Sequence, residues 1–457
     1  MNIFLYNHSS QTKELFTPID SNNITLYVCG PTVYDYIHIG NARAIVAFDV
    51  LYRTLKLYYK NVTYARNITD IDDKIMNAAN QKNISIQDLT KQMTSQFHED
   101  IAKMHVLAPD HEPKATDYIE GIISLITKLI NKNYAYEKNN HIYFDTTHPQ
   151  YGSLNKLEKK QLLQGVRISV NEDKKNANDF ILWKPSSAEQ PGWNSPWGRG
   201  RPGWHSECCA MVNHIFGNHI DIHGGGLDLK FPHHENEQIQ SLVANDNHTF
   251  ANFWLYNGFV TIEGNKMSKS EGNFITLNEL LKKHSGEAIK LSILRTHYRK
   301  PFDFQIESVK QANNILNKLY TRLAEHKINL NKIELESTLS DSIAPLLDDL
   351  NAPQAIADLQ SLINNLNAEN STSASYVQRI KQLAYGLGLM HNESRNANNQ
   401  ANNNSISPDE IEAIIKERNQ ARLNGDYAKS DAMRDKLLNL GVVILDNKDK
   451  TTSWKYK

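Results

Sequence analysis

Three groups of residues in this chain have types and spacings that could do chemistry. The run Gly30-Pro31-Thr32-Val33-Tyr34-Asp35-Tyr36-Ile37-His38-Ile39-Gly40-Asn41 leads from an apolar stretch through a turn into a helical pattern. A helix N-terminus turns free amides and the positive end of its dipole toward an anion. Gly40 lets a base or ribose approach the backbone, and His38 can donate to a phosphate oxygen. Lys266-Met267-Ser268-Lys269-Ser270, followed by Glu271-Gly272-Asn273, sets two lysines among small hydroxyl residues. Such a loop can neutralise the charge that develops as pyrophosphate leaves. The third group comprises Cys29, Cys208 and Cys209, with His233 and Glu237 four apart and so on one helical face. Two thiolates, or one with an imidazole and a carboxylate, suit zinc. Each group also has a plainer reading: a histidine near a cap, a solvated polar loop, and buried thiols beside a surface histidine cluster.

The elements around these residues follow from pattern. Ile24-Thr25-Leu26-Tyr27-Val28-Cys29 reads as a buried strand broken by Gly30-Pro31, then a helix from about Ala42 to Tyr58, then a strand over Val62 to Asn67. Strand, helix and strand at this spacing predict a parallel βαβ unit. Residues 115–200 break the rhythm with a helix over 117–133 and a Gly-, Pro- and Trp-rich stretch, and read as an insertion. The α/β pattern resumes with a strand over His219 to His223, ending in Gly224-Gly225-Gly226, and another from Phe253. After about residue 306 leucine periodicity at Ala312, Ile315, Leu316, Leu319 and Leu323 predicts helices. Residues 392–405 are Asn-rich, too polar to pack, and read as a linker. A last unit holds helices over 408–423 and 426–439, a strand over 442–445 and a basic tail.

Composition bounds the reading. The 457 residues, 40% hydrophobic and 22% charged, can bury a large core, and the net charge of −1 gives no global pull toward nucleic acid. A nucleic-acid partner must therefore meet a local basic face. No run of apolar residues is long enough for a spanning helix, and the start lacks the pattern of a signal peptide. Three cysteines in a chain this long make no disulfide framework and fit a reducing compartment.

The first two groups together, in this order, resemble the two signatures of class I aminoacyl-tRNA synthetases. The family's first signature ends in histidine, and here the last position is Asn41, which can hydrogen-bond but carries no charge. The strings Cys29 to Asp35, Asn67-Ile68-Thr69-Asp70-Ile71-Asp72-Asp73-Lys74, Gly203-Trp204-His205, His223 to Gly226 and Phe231-Pro232-His233-His234-Glu235-Asn236-Glu237 resemble cysteinyl-tRNA synthetases over nearly the whole chain.

That resemblance implies a Rossmann-type catalytic domain with a parallel sheet, split by an insertion and followed by a helical bundle and a small α+β C-terminal domain. The expected boundaries are 1–114 and 201–254 for the catalytic halves and 115–200 for the connective insertion. A stem-contact region with the lysine loop follows at 255–306, a helical bundle at 307–391, a linker at 392–405 and an anticodon-binding domain at 406–457. It implies ATP-dependent formation of cysteinyl adenylate and transfer to tRNA(Cys), by a cytoplasmic monomer with no membrane partner. Zinc would be held by Cys29, Cys208, His233 and Glu237. ATP, with magnesium, would meet Thr32, His38, Gly40, Asn41, Gly225, Asp228, Lys266 and Lys269; of these, His38, Lys266 and Lys269 would act in catalysis. Cysteine would meet Cys29, Gly30, Thr32, Trp204 and His223. Cys209 reads as a small core residue near the metal. Candidate tRNA contacts are Lys282, Lys283, Lys290, Arg295, Arg299 and Lys300, and in the last unit Arg418, Arg422, Lys429, Arg434, Lys448, Lys450, Lys455 and Lys457. A ligase joining cysteine to an amino sugar shares the nucleotide and zinc motifs and is the alternative enzyme; a non-enzymatic zinc module binding RNA is the other alternative.

Overall fold

A computed structural model describes residues 1–156, 174–266, 274–391, 408–439, 442–446 and 452–456. Its contacts divide the chain into two units, Met1–Leu316 with Ile333–His391, and Asn317–Lys332 with the C-terminal residues.

The first unit opens with a hairpin of β1 (Phe4–Asn7) and β2 (Thr12–Leu15), then β3 (Ile24–Val28), α1 (Ile39–Tyr58) and β4 (Val62–Arg66). The strands register in parallel from Ile24 opposite Val62 to Val28 opposite Arg66, as the βαβ spacing predicts. Helix α1 starts at Ile39, ahead of the expected Ala42, because His38 caps it. The His38 ring accepts from the Asn41 amide while the Asn41 side chain accepts from the His38 amide, a reciprocal capping box. Helices α2 (Asp73–Lys82), α3 (Ile86–Lys103) and α4 (Ile119–Asn131) come next.

Within residues 115–200 the chain builds β5 (Ala135–Lys138), β6 (His141–Phe144) and β7 (Phe180–Pro185), which with β8 (Gly200–Pro202) form an antiparallel sheet. Helix α5 (Trp204–Ile215) leads back to β9 (Ile220–Gly226), α6 (Glu235–Ala244) and β10 (Ala251–Asn257). The order β10-β9-β3-β4 makes a parallel four-stranded sheet. From β3 the chain goes to β4 on one side, and β9 later pairs on the other. In open α/β sheets such a reversal point is where ligands bind, beyond the carboxyl ends of the strands.

A second small sheet has the order β12-β11-β13, built from β11 (Val260–Ile262), β12 (Asn265–Lys266) and β13 (Phe302–Phe304), with α7 (Leu277–Leu281) and α8 (Gly286–Leu294) between them. Helix α9 (Ile306–Glu325) buries Ala312, Leu316, Leu319 and Leu323, as its periodicity predicts. Helices α10 (Ala344–Leu347), α11 (Ala352–Asn364) and α12 (Ala374–Leu387) complete the unit. In the second unit α13 (Pro408–Leu423) and α14 (Tyr427–Asn439) pack on a hairpin of β14 (Val442–Asp446) and β15 (Thr452–Tyr456). Ile411, Ile415, Leu437, Val442 and Ile444 form its core, with Trp454 against it. The expected basic tail is thus partly a strand, with Trp454 opposite Ile444 in the hairpin.

Candidate active site and metal centre

Cys29 is the first residue past β3, and its amide donates to the Gly224 carbonyl of β9, 3.1 Å away. The register sets Tyr27 opposite His223 and Val28 opposite Gly224. Both glycines are required by packing: a Cβ at Gly224 would lie 2.2 Å from the Phe48 ring, and one at Gly225 would lie 2.9 Å from the His234 ring. Gly30, expected beside cysteine, has a different constraint. A Cβ there would fall 1.7 Å from the Asn67 carbonyl oxygen, while its amide donates to Asn67 Oδ1. Its missing side chain therefore lets the ends of β3 and β4 close on each other.

Helix α5 brings Cys208, and the turn before α6 brings His233 with Glu237 one helical turn on. Their positions are fixed by buried polar ties. Gln240 of α6 donates to the His205 carbonyl and accepts from Ser206 of α5. Glu235, at the start of α6, accepts from the amides of Gly152 and Asn155. Every residue of α6 is buried, including three amides and two carboxylates, and such groups are stable inside only when paired.

The donor atoms of Cys29, Cys208, His233 and Glu237 all lie within 4.8 Å of one another and could hold a metal ion. Cys29 Sγ stands 3.7 Å from Cys208 Sγ, 3.7 Å from His233 Nε2 and 3.6 Å from Glu237 Oε1; Cys208 Sγ is 3.9 Å from His233 Nε2. A tetrahedral zinc with bonds of ~2.3 Å to sulfur and ~2.0 Å to nitrogen or oxygen has S–S edges of about 3.8 Å and S–N or S–O edges of about 3.5 Å. The sulfur edges fit that figure. The edge from His233 Nε2 to Glu237 Oε1, 2.7 Å, is a hydrogen bond.

Electrostatics explain that bond. Burial alone would lower the His233 pKa, but Glu237 and Cys208 beside it raise it to about 10. Burial would raise Glu237, yet His233, His223 and His234 hold it well below the usual carboxylate range. Burial pushes the Cys29 thiol up, reinforced by Cys208 and Glu237. The pocket gathers acceptors that invite a cation.

A second overlapping set, Cys29, His223, His234 and Glu237, also meets the distance condition. Two contacts favour the first. His223 Nε2 lies 2.6 Å from Glu237 Oε2, so it supports the carboxylate from its far oxygen. His205 Nδ1 lies 2.9 Å from His233 Nδ1, and burial next to the His233 charge lowers His205 to about 3, so neutral His205 accepts. His233 then turns Nε2 toward the cluster. Metal-binding histidines and carboxylates are normally held by such outer partners. His234 bonds Tyr256 through Nδ1 at 3.0 Å and reaches Cys29 Sγ through Nε2 at 3.3 Å. Cys209 donates to the Glu237 carbonyl at 3.3 Å and supports the same helix.

Trp204 lies flat on His233, with ring centroids 4.0 Å apart and planes 16° apart, and stays 39% exposed. It walls the cluster rather than filling the core. His205, Asn67 and Gln240 escaped assignment in the sequence. His205 stands three before Cys208 and Gln240 three after Glu237, a helical spacing that could have flagged both.

At the start of α1, His38 Nδ1 accepts the Asn41 amide, so in the neutral ring Nε2 carries the proton. Asn41 Oδ1 is held by the His38 amide, so its amide nitrogen is what remains to offer. Thr32 bridges to Thr69 beside Cys29 and Gly30. Asp228 is exposed just beyond β9, where a Cβ on Gly226 would meet its carboxylate at 2.3 Å. Lys266 ends β12; Lys269 lies outside the described residues.

Two of the cations expected to meet tRNA are not available to it. Lys290 is completely buried and pairs with Asp49 at 2.6 Å, beside Arg53. Arg418 is only 3% exposed. Arg299 is paired with Asp349 and lies over the Tyr6 ring. Sequence reading counted Lys290 and Arg299 as surface charges because an ion pair made across the fold is invisible locally. Among the described residues no helix is long and apolar enough to cross a membrane.

The open parallel sheet with its reversal point is shared with class I tRNA synthetases of known structure. The Mycobacterium tuberculosis methionyl-tRNA synthetase in complex with methionyl-adenylate matches it with a TM-score of 0.57 over 85% of this chain and 95% of that one, at 13% identity, a likeness of fold alone. The family model for the catalytic domain of class I (C) tRNA synthetases matches residues 15–314, and that for the cysteinyl-tRNA ligase anticodon-binding domain matches 407–454. The cysteine–tRNA ligase of Wolbachia pipientis subsp. Culex pipiens is 44% identical over 98% of this chain and 97% of its own. That of Saccharophagus degradans is 44% identical over the full length of both. The chain belongs to the cysteinyl-tRNA synthetase family and is an aminoacyl-tRNA ligase. Nothing among these relatives supports a ligase of amino sugars.

Proposed function

We propose that this chain joins L-cysteine to tRNA(Cys) in two steps, using ATP with magnesium and a resident zinc ion, as a cytoplasmic monomer. The cysteine carboxylate attacks the α-phosphorus of ATP, the bond to pyrophosphate breaks, and cysteinyl adenylate forms. A terminal ribose hydroxyl of the tRNA then attacks the acyl carbon and AMP leaves. The protein needs little covalent chemistry, since positioning and charge stabilisation suffice. His38 donates from Nε2 to the phosphates together with the first amides of α1. Asn41 adds a neutral donor only, so Lys266 and Lys269 carry the cationic share. Thr32, Gly40, Gly225 and Asp228 line the nucleotide, while Cys29, Gly30, Thr32 and Trp204 surround the amino acid and His223 steadies Glu237.

Zinc would be held by Cys29, Cys208, His233 and Glu237. Bound there, it supplies a thiol-selective contact that alanine cannot make and a serine hydroxyl makes poorly, where an apolar pocket alone separates such pairs weakly. The observation that carries this reading is the four-donor cluster with near-tetrahedral sulfur edges at the carboxyl end of β3. The test is pyrophosphate exchange with cysteine, serine and alanine, and charging of tRNA(Cys) beside an amino-sugar acceptor. Exchange with cysteine alone and product on tRNA alone are expected. Exchange with serine at a comparable rate would remove the metal from selection, and product on the sugar would overturn the acceptor.

A further inference from the structure

Arg43, one turn past the His38 cap, is 1% exposed. Its Nη2 donates to three backbone carbonyls, those of His297 at 3.1 Å, Tyr298 at 3.2 Å and Lys300 at 2.5 Å. Its guanidinium carbon stands 4.9 Å from the centroid of the Phe302 ring, a cation–π geometry. Nε and Nη1 find no hydrogen-bond partner among the described residues. A buried cation with two idle donors is costly, so these few contacts are what hold it. Burial lowers its pKa only to about 10, which leaves it charged near neutrality.

Those contacts matter because Arg43 grips the chain just where it enters the second small sheet. Phe302 opens β13, which runs parallel to β11, Val260 opposite Phe302 and Ile262 opposite Phe304. Gly258 donates to the Tyr298 carbonyl and Phe302 to the Phe259 carbonyl. Strand β11 turns into β12, with Thr261 opposite Lys266. Asp303 clamps that turn by accepting from Thr261 and from the Gly264 amide, each at 2.8 Å. The same helix also holds the chain on the far side of the lysine loop: Ile39 donates to the Ile275 carbonyl, Leu277 donates to the Ile37 carbonyl, and the His38 ring meets Phe274 edge-on at 5.2 Å. The segments on either side of residues 267–273 are therefore both referenced to the first two turns of α1, one by backbone pairing and the other through Arg43.

We infer that Arg43 is a positioning residue for adenylate formation: by gripping the 297–300 carbonyls and Phe302, it sets the hairpin that carries Lys266 in register with His38. This rests on the proposed role of Lys266. A lysine ammonium has enough N–H groups for the carbonyls that Nη2 now serves, but it is a compact point charge that cannot lay a planar guanidinium against Phe302 while reaching them. A misplacement of ~1 Å can cost about a hundredfold in rate, so Arg43→Lys should lower the exchange kcat about tenfold. The KM for cysteine and the zinc content should stay unchanged. Phe302→Leu removes only the ring and should act in the same direction, less strongly. The decisive measurement is the cycle with Lys266→Ala in the full-length protein. If Arg43 acts through Lys266, adding Arg43→Lys to Lys266→Ala produces no further loss. Multiplicative losses, or a kcat loss matched by losses of cysteine affinity and zinc, would make Arg43 a merely structural residue. An unchanged kcat would overturn the inference outright. If Lys266→Ala alone exchanges at the wild-type rate, the role of the lysine itself falls, an outcome read before the double variant is made.

Discussion

Replacing Cys208 by serine should strip the metal, and the size of the effect can be bracketed from its neighbours. His223 touches Glu237 only through Oε2, at 2.6 Å, on the side away from the cluster. Loss of such an outer partner costs about 10- to 100-fold in metal affinity, which is about 1.4 to 2.7 kcal/mol. His223→Asn should fall in that range and still bind zinc at saturation. Cys208 Sγ is itself 3.7 Å from Cys29 Sγ and 3.9 Å from His233 Nε2, and a serine hydroxyl offers no thiolate. Cys208→Ser and His233→Asn should therefore lose more than about 100-fold. Cys209→Ser should lose little, since a hydroxyl can still donate to the Glu237 carbonyl that Cys209 reaches now. The assay is zinc competition against a chromogenic chelator, with circular dichroism to confirm the fold. Loss of metal from His234→Asn with retention in His233→Asn would refute the assignment in favour of the overlapping set through His223 and His234.

Asp49→Asn should cost about 3 to 5 kcal/mol by leaving Lys290 and Arg53 as uncompensated buried cations, read by denaturant unfolding; a loss confined to tRNA charging would contradict the burial of that network. Burial has already lowered Lys290 from the usual 10.5 to about 8 against the pull of Asp49, and without Asp49 it should fall further. Above the folded pKa the unfolded chain holds the extra proton, so stability rises with pH, and it starts to rise at lower pH in Asp49→Asn. The deficit of that variant should therefore shrink as pH rises toward about 8 and level off above it. Gly30→Ala must move backbone, because its Cβ would lie 1.7 Å from the Asn67 carbonyl oxygen; a stability loss of about 1 to 3 kcal/mol with weakened zinc binding is expected, and an unchanged melting curve would show that the β3–β4 exit yields freely. A chain ending at Asn404 should keep cysteine-dependent exchange and lose charging of tRNA(Cys); parallel loss of both would assign the C-terminal residues a supporting role.

The βαβ unit was legible because its signals are local: β-branched runs, a Gly-Pro break and helical periodicity within a few dozen residues. The capping box is hidden in the sequence because Asn41 also reads as a phosphate ligand, whereas its side-chain oxygen is spent on the His38 amide. The four donors could be named only through family resemblance. Cys29 and Cys208 are far apart in the chain, and nothing local says that β9 will pair with β3 and that α5 will return Cys208 to its end. The charged residues were the least legible. Lys290 and Arg299 look alike in sequence, yet one is sealed against Asp49 and the other lies over Tyr6 while pairing with Asp349. Partners of that kind are set by topology.

The exposure of the cluster bears on how the proposed substrate would enter. Cys208, His233 and Glu237 are buried, while Cys29 is partly open and Trp204, on the face of His233, is open enough to meet solvent. On the proposed function, a cysteine thiol would enter past Cys29 and Trp204 with its sulfur inward, and its carboxylate would trail toward Gly30 and Thr32. The same connection runs on to His38, whose ring, fixed by the Asn41 amide, presents its donor where α1 begins. The strand-to-helix crossing would thus span the distance between the proposed sulfur-recognising end and the proposed phosphate-binding end. It is held on its other side by Asn67 and Thr69 at the exit of β4. With the proposed roles, discrimination and activation would share one stretch of backbone. On this reading a change at Gly30 should disturb both zinc affinity and the exchange rate, although the glycine touches neither the metal donors nor the phosphates through a side chain.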